Sequence, residues 1–254
     1  MGVVLALSSP NPTTMMKKAL LLLLALGTFL PLQAQLKGLL NKAKEEVLGG
    51  GALSEEEAGQ GLKQALELGV GKAVDYLSAE NGYLLSPYKI LVPEEAQAVV
   101  SKLKMVPGFE DVEDRLVEKM NRAAELAAAK AKPIFVNAIK QMTFEDAMNI
   151  LLGEKDAATQ YLKRSTWKQL YQEFLPVVQA SLDEVNAREY WRSAVNAYNK
   201  IPLVKKTNPE LDDHVTTKAL EGMFSLIEEK ERGIRENQNE RTTELLRKVF
   251  ARQD

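Results

Sequence analysis

Lys218-Ala219-Leu220-Glu221-Gly222-Met223-Phe224-Ser225-Leu226-Ile227 is the stretch that decides the fold. Ala219, Leu220, Met223, Phe224 and Ile227 recur at the three- and four-residue spacing of an α-helix, and Ile234 continues the stripe. Lys230 and Glu231 interrupt it. The helix therefore either leaves the core there or pairs those charges against a neighbour.

Working outward, the same period recurs along the chain. Ser54 and Glu57 form a capping box, with Leu53 as the staple residue, ahead of Leu62, Ala65, Leu66, Val70, Ala73 and Leu77, up to about Ser78. Asn81-Gly82 marks a turn. Tyr83 to Val92 reads as an extended loop or a short strand. Pro93-Glu94-Glu95 opens a helix that ends before Pro107-Gly108. Val112, Leu116, Met120, Ala123 and Ala127 then face inward, while Asp111–Arg115 and Glu118–Arg122 are spaced to pair outward. Pro133 restarts the chain into Ile134, Phe135, Ala138 and Ile139.

Thr143 with Asp146 caps Phe144 to Leu152, and Gly153 closes that segment. Thr166 and Gln169 make a further capping box before Trp167, Leu170, Tyr171, Phe174 and Val178. Pro176 is expected to kink that helix near Gln172, because its ring meets the carbonyl four residues back. A helix from about Glu184 to Lys200 stops before Pro202, and Leu245, Leu246, Val249 and Phe250 make a last amphipathic set. Strand signals are nearly absent, no repeat or sustained heptad occurs, and connections are short. The expected architecture is all-α, an irregular multi-helix bundle of about eight to ten helices, with residues 53–254 as a single domain.

The N-terminus reads differently. Lys17 and Lys18 precede an apolar run from Ala19 to Leu30, followed by Pro31-Leu32-Gln33-Ala34. A basic stretch, a short apolar core and a small residue at the cut are the parts of a secretory signal, so residues 1–34 are expected to be removed after Ala34 in the periplasm. The run is shorter than the ~20 residues of a spanning helix. Met15 and Met16 are alternative starts, since residues 1–14 carry no charge. Residues 35–52 read as a short helix (Leu36, Leu39, Leu40, Ala43, Val47) and a Gly49-Gly50-Gly51 linker.

Charge narrows the partners. The 254 residues carry 33 basic and 35 acidic side chains, net −2, and Lys17 and Lys18 are the only charges before Ala34. The remainder is more acidic still, which argues against nucleic acid. Membrane association through Lys37, Lys42 and Lys44 is not expected after signal cleavage, because Glu45 and Glu46 follow at once. The absence of cysteine from the sequence excludes disulfides and thiolate chemistry.

No chemical constellation stands out. Asp212-Asp213-His214 joins the sole histidine to two acids, yet adjacent residues cannot converge on one ion, and the triplet reads as a helix N-cap. Glu145-Asp146 and Asp183-Glu184 point about 100° apart on a helix and read as solvated faces. No nucleophile elbow or phosphate loop occurs. Met120, Met142, Met148, Met223, Phe135, Phe144, Trp167, Tyr171 and Phe174 read as core, with an apolar ligand cavity as the alternative. No metal, cofactor or catalytic residue is expected.

Several runs resemble one bacterial family. Leu53-Ser54-Glu55-Glu56-Glu57-Ala58, Gly61-Leu62-Lys63-Gln64-Ala65-Leu66, Met120-Asn121-Arg122-Ala123-Ala124-Glu125, Phe135-Val136-Asn137-Ala138-Ile139, Met142-Thr143-Phe144-Glu145-Asp146-Ala147, Val215 to Phe224, and Arg241-Thr242-Thr243-Glu244-Leu245-Leu246 are similar, in order, to the DUF4197 proteins. The resemblance implies an exported helical domain of unknown function and brings no activity with it. Asn121, Arg122, Arg241 and Thr242 are the polar residues in these motifs that are candidates for binding an anion or a partner carboxylate, or for satisfying helix ends. The functional expectation is a non-enzymatic periplasmic protein that binds a protein partner or an apolar small molecule, or acts as a scaffold. A hydrolase using carboxylates brought together from distant helices is the alternative.

Overall fold

Ser54, Thr143 and Thr243 stand at helix starts and take up free amide groups there. The computed structural model describes residues 54–105, 107–241 and 243–250. Their helices are α1 (Glu55–Ser78), α2 (Gln97–Leu103, after a 3-10 turn Glu94–Ala96), α3 (Val112–Ala128), α4 (Ala131–Gln141), α5 (Phe144–Leu151), α6 (Ala157–Asp183), α7 (Ala187–Tyr198), α8 (Leu211–Glu236) and, after a second 3-10 turn, α9 (Glu244–Phe250). No strand occurs among the described residues. The proposed signal segment, the stripe at 36–47, Leu53 and Thr242 lie outside the described residues.

Ser54 caps α1 as its spacing requires: its hydroxyl accepts from the Glu57 amide at 3.1 Å, and the Glu57 carboxylate accepts from the Ser54 amide at 2.7 Å. Thr143 and Asp146 repeat the arrangement at α5 and form a full reciprocal box. Thr166 does not. It lies buried inside α6, its hydroxyl donating to the Leu162 carbonyl at 2.6 Å. The apolar face of α6 extends upstream through Ala158 and Leu162, so the helix begins well before the expected box.

Pro176 sits inside α6 without ending it. Both Pro176 and Gln172 are exposed. The Gln172 carbonyl, deprived of its helical donor, thus lies where water can satisfy it.

α8 and α6 form the centre, packed on each other and both on α3, with α1 against α8 and α4 against α1 and α6. Phe224 of α8 stacks on Trp167 of α6 at 5.8 Å and meets the edge of Phe135 of α4 at 5.7 Å. Met120, Met142, Met148, Met223, Phe135 and Phe174 are buried core as expected, but Phe144 is exposed and Trp167 and Tyr171 are half-buried. An apolar pocket between α1, α8 and Phe250 holds about 30 Å³, the room of a single water.

Residues 83–88 form successive turns and 89–92 carry no regular structure, so the segment is a loop without the short strand offered as its alternative. Asn81 takes the left-handed region at φ 68, and the segment then lies along α8. Gly222 makes that approach possible: a Cβ there would sit 3.1 Å from the Tyr88 Cβ.

Candidate functional site

Two polar regions occupy the two ends of α8, which at 1.5 Å per residue spans about 39 Å. The first, at its N-terminal end, is a cleft of about 260 Å³ walled by Pro93, Lys206, Thr207, Asn208, Asp213, His214, Thr217, Lys218 and Glu221. Three segments build it: the end of the 83–93 segment, the loop between α7 and α8, and the first turns of α8.

The loop is held by short-range clips. The Asn199 carboxamide accepts from the Thr207 amide at 3.0 Å and donates to the Thr207 carbonyl at 2.8 Å, consuming both backbone groups of that residue. The Thr207 hydroxyl is left buried with no partner. Trp191 of α7 donates its indole N–H to the Asn208 carbonyl at 3.3 Å, and the Asn208 side chain donates to Asp213 at 3.0 Å while accepting from the Glu210 amide at 2.9 Å. Leu203 stands in this loop in the left-handed region, φ 65, and is fully exposed.

Asp212-Asp213-His214 is not the cap of α8. Glu210 holds that position, and both acids lie in the first turn, where they face the positive end of the helix dipole. Their side chains diverge, as adjacent helical residues must. Asp212 is buried and accepts from Gln179 at 2.7 Å. Asp213 accepts from the Tyr171 hydroxyl at 2.6 Å, and this bond, with burial, pushes Tyr171 up to about 12. The His214 Nε2 lies 3.0 Å from the Leu91 carbonyl. A carbonyl only accepts, so Nε2 carries the proton and Nδ1 of the neutral ring remains an acceptor. Burial holds His214 below its ordinary 6.5, assisted by Lys218 and opposed by the Leu91 carbonyl and by Asp213 and Glu221.

Asn121, Arg122 and Glu125 of α3 fix the 80–91 segment. The Asn121 amide accepts from Ile90 N and donates to Ile90 O, both at 2.8 Å, and donates to Val117 O at 2.7 Å. It thereby sets the position of the neighbouring Leu91 carbonyl that meets His214. Arg122 does not pair with Glu118. It donates to Glu125 at 2.7 Å and Asn81 at 3.0 Å, with Glu80 at 3.7 Å, because these acceptors lie on the side of α3 that the turn covers. Glu125 accepts from the amides of Tyr83 and Leu84. Tyr83, fully buried, donates to the Ala219 carbonyl at 2.7 Å, and burial raises its hydroxyl far above the ordinary range.

The second polar region lies at the other end of α8, where the apolar stripe breaks. Lys230 reaches the surface beside Glu229, while Glu231 turns inward. Its carboxylate accepts from the amides of Ala158 (3.0 Å) and Thr159 (2.8 Å), from the Thr159 hydroxyl (2.8 Å) and from Arg235. A carboxylate seventy-odd residues away thus caps α6. Arg235 also donates to the Ile150 carbonyl at the end of α5. Arg241 donates to the carbonyls of Ile234 and Arg235, closing α8, with Phe250 beneath both guanidinium groups.

The structure thus brings Asn121 into the support of the cleft and uses Arg122 and Arg241 at the turn and the helix end. Lys206, Thr207, Asn208 and Thr217 escaped the sequence reading. The only available sign was a polar stretch, Lys205 to Asn208, between Pro202 and Pro209. Among the described residues no group of three or more metal-binding side chains gathers, and no helix is long and apolar enough to cross a membrane. The two carboxylates in the cleft, Asp213 and Glu221, belong to one helix.

These features define a helical bundle whose polar clamps fasten helix ends and a turn-rich segment to a central pair of helices. Residues 52–251 match the family model described as protein of unknown function (DUF4197), and the chain belongs to that family. No curated protein and no solved structure matches it.

Proposed function

We propose that this chain, once exported to the periplasm, is a non-enzymatic binding or scaffold protein that engages a partner at the loop end of the bundle, around the N-terminus of α8. The observation that carries this reading is Leu203. A β-carbon in the left-handed region is unfavourable, and a leucine held there with its whole side chain in water satisfies neither backbone preference nor burial. Strained residues concentrate at sites of recognition. Leu203 lies in the same loop as Lys206, Thr207 and Asn208 of the cleft wall and as the exposed Ile201, while the exposed Leu91 adjoins His214. The 30 Å³ apolar pocket between α1, α8 and Phe250 has no room for an organic ligand.

The test is photo-crosslinking in intact cells from a benzophenone side chain at position 203, with position 76, also exposed, as control. A discrete adduct from 203 alone supports the reading. Identical products from both positions, or none from 203, defeat it.

A further inference from the structure

We propose that the loop 200–206 is a membrane-contacting tip: Ile201 and Leu203 enter the headgroup boundary of an anionic lipid surface, and the flanking lysines meet its phosphates. The inference rests on the loop end being the recognition surface and names the chemistry of what is recognised there.

The tip reads Lys200-Ile201-Pro202-Leu203-Val204-Lys205-Lys206. Pro202 and Leu203 occupy a turn, and Leu203 takes the position with positive φ. Glycine or asparagine is the usual occupant of such a position. Leucine fits that backbone poorly and brings a large apolar side chain, which is fully exposed, with Ile201 also exposed two residues before it. A lipid boundary closes around a protruding apolar tip and needs no shaped complement.

Charge points the same way. From Tyr190 to Pro209 the chain holds Arg192, Lys200, Lys205 and Lys206 and no acid, although the whole sequence is net −2. Arg192 is committed to Glu210. Lys200 and Lys206 are exposed and make no ion pair among the described residues. The acids of the adjoining cleft wall are engaged, Asp213 by Tyr171 and Asn208, Glu221 by Lys218. Lysines on both sides of an apolar tip can lay their alkyl stems along the acyl boundary while the ammonium groups stay at phosphate depth. A few apolar side chains and a few cations together give weak, reversible attachment. The run Lys37 to Lys44 lacks this arrangement, because Glu45 and Glu46 follow it at once.

The test floats the protein, purified from the periplasm, with vesicles of phosphatidylglycerol and phosphatidylcholine in equal parts, and with phosphatidylcholine alone. Attachment to the first is expected, half-saturating on the order of 1 mM lipid, and lost at about 1 M salt, where charges are screened within a few ångströms. Leu203→Asn should weaken it about tenfold, and Lys200→Gln and Lys206→Gln about fivefold each. All three positions are exposed, so these variants keep the fold. Every variant carries the same N-terminus, so attachment through other residues is common to all. Because the sequence has no cysteine, Ile201→Cys takes a single environment-sensitive dye, expected to brighten on the anionic vesicles, with Tyr76→Cys as the control. Equal attachment to both vesicles, none to either, an unchanged L203N, or a dye at 201 that responds no more than one at 76 overturns the proposal. A crosslink from position 203 that adds the mass of one phospholipid agrees with it. A protein adduct from 203 without vesicle attachment overturns it and leaves the loop end standing as the recognition surface.

Discussion

Replacing Glu231 by glutamine tests whether the break in the α8 stripe is a structural joint. The Glu231 oxygens face donors only: one meets the Ala158 amide and Arg235, the other the Thr159 amide and hydroxyl. Whichever position the carboxamide nitrogen takes, it meets another donor at 2.8–3.0 Å, and Arg235 loses its counter-charge. Hydrogen bonds to a charged group are worth about 1.5–3 kcal/mol each, and breaking a buried ion pair on one side costs about 3–5 kcal/mol. The expected loss for E231Q is therefore about 3–5 kcal/mol by urea unfolding. At about 2–4 °C per kcal/mol for a domain of this size, the midpoint should fall by roughly 6–20 °C. The paired substitution Glu231→Leu with Arg235→Met removes both charges, and its cost should be less than the sum of the two single changes. A loss under about 1 kcal/mol for E231Q, or strict additivity in the cycle, would refute the argument.

Three further outcomes follow from the geometry. Leu220→Ala, at a fully buried position of α8, should destabilise by about 2–5 kcal/mol in urea melts. Asn121→Ala orphans the backbone groups of Ile90 and should cost about 2–4 kcal/mol while releasing the Ile90 amide to hydrogen exchange; retained protection there would contradict its role. His214 has a folded pKa below 6.5, so as pH falls through 6.5 the unfolded chain takes up a proton that the folded ring refuses. Stability should drop between pH 7.5 and 5.5, and less in His214→Gln; equal slopes would show that the ring titrates as it does in water.

What could be read from the sequence is what depends on near neighbours. The stripe Ala219 to Ile227, the boxes at Ser54 and Thr143 and the turn at Asn81 each involve residues within a few positions, so spacing alone specifies them. Thr166 misled because a capping pattern has no force where the apolar face continues upstream, and because the cap of α6 comes from Glu231 in another helix. The cleft was invisible for the same reason. His214 meets Leu91, and Thr207 shares its wall with Pro93, at separations no periodicity encodes. The polar motif Asn121-Arg122-Glu125 was visible as a motif, but its partners, Ile90, Asn81 and Tyr83, lie some thirty to forty residues upstream.

Leu203 allows stability and recognition to be separated. The left-handed region costs a residue with a β-carbon about 1–2 kcal/mol, less for asparagine, and almost nothing for glycine, whose gain is partly offset by about 0.5–1 kcal/mol of extra freedom when unfolded. Leu203→Asn should therefore stabilise the fold by about 1 kcal/mol, Leu203→Gly by about half of that, and Leu203→Ala should leave it unchanged, since alanine keeps the β-carbon. An exposed leucine with no role beyond the backbone would give the same order and no loss of function. A leucine that anchors a partner gives the same order of stability while all three variants lose the partner equally, because each removes the apolar side chain. Alanine as stable as asparagine would show that the loop relaxes and stores no strain. Recognition undiminished in all three would leave the left-handed leucine without a purpose at the surface.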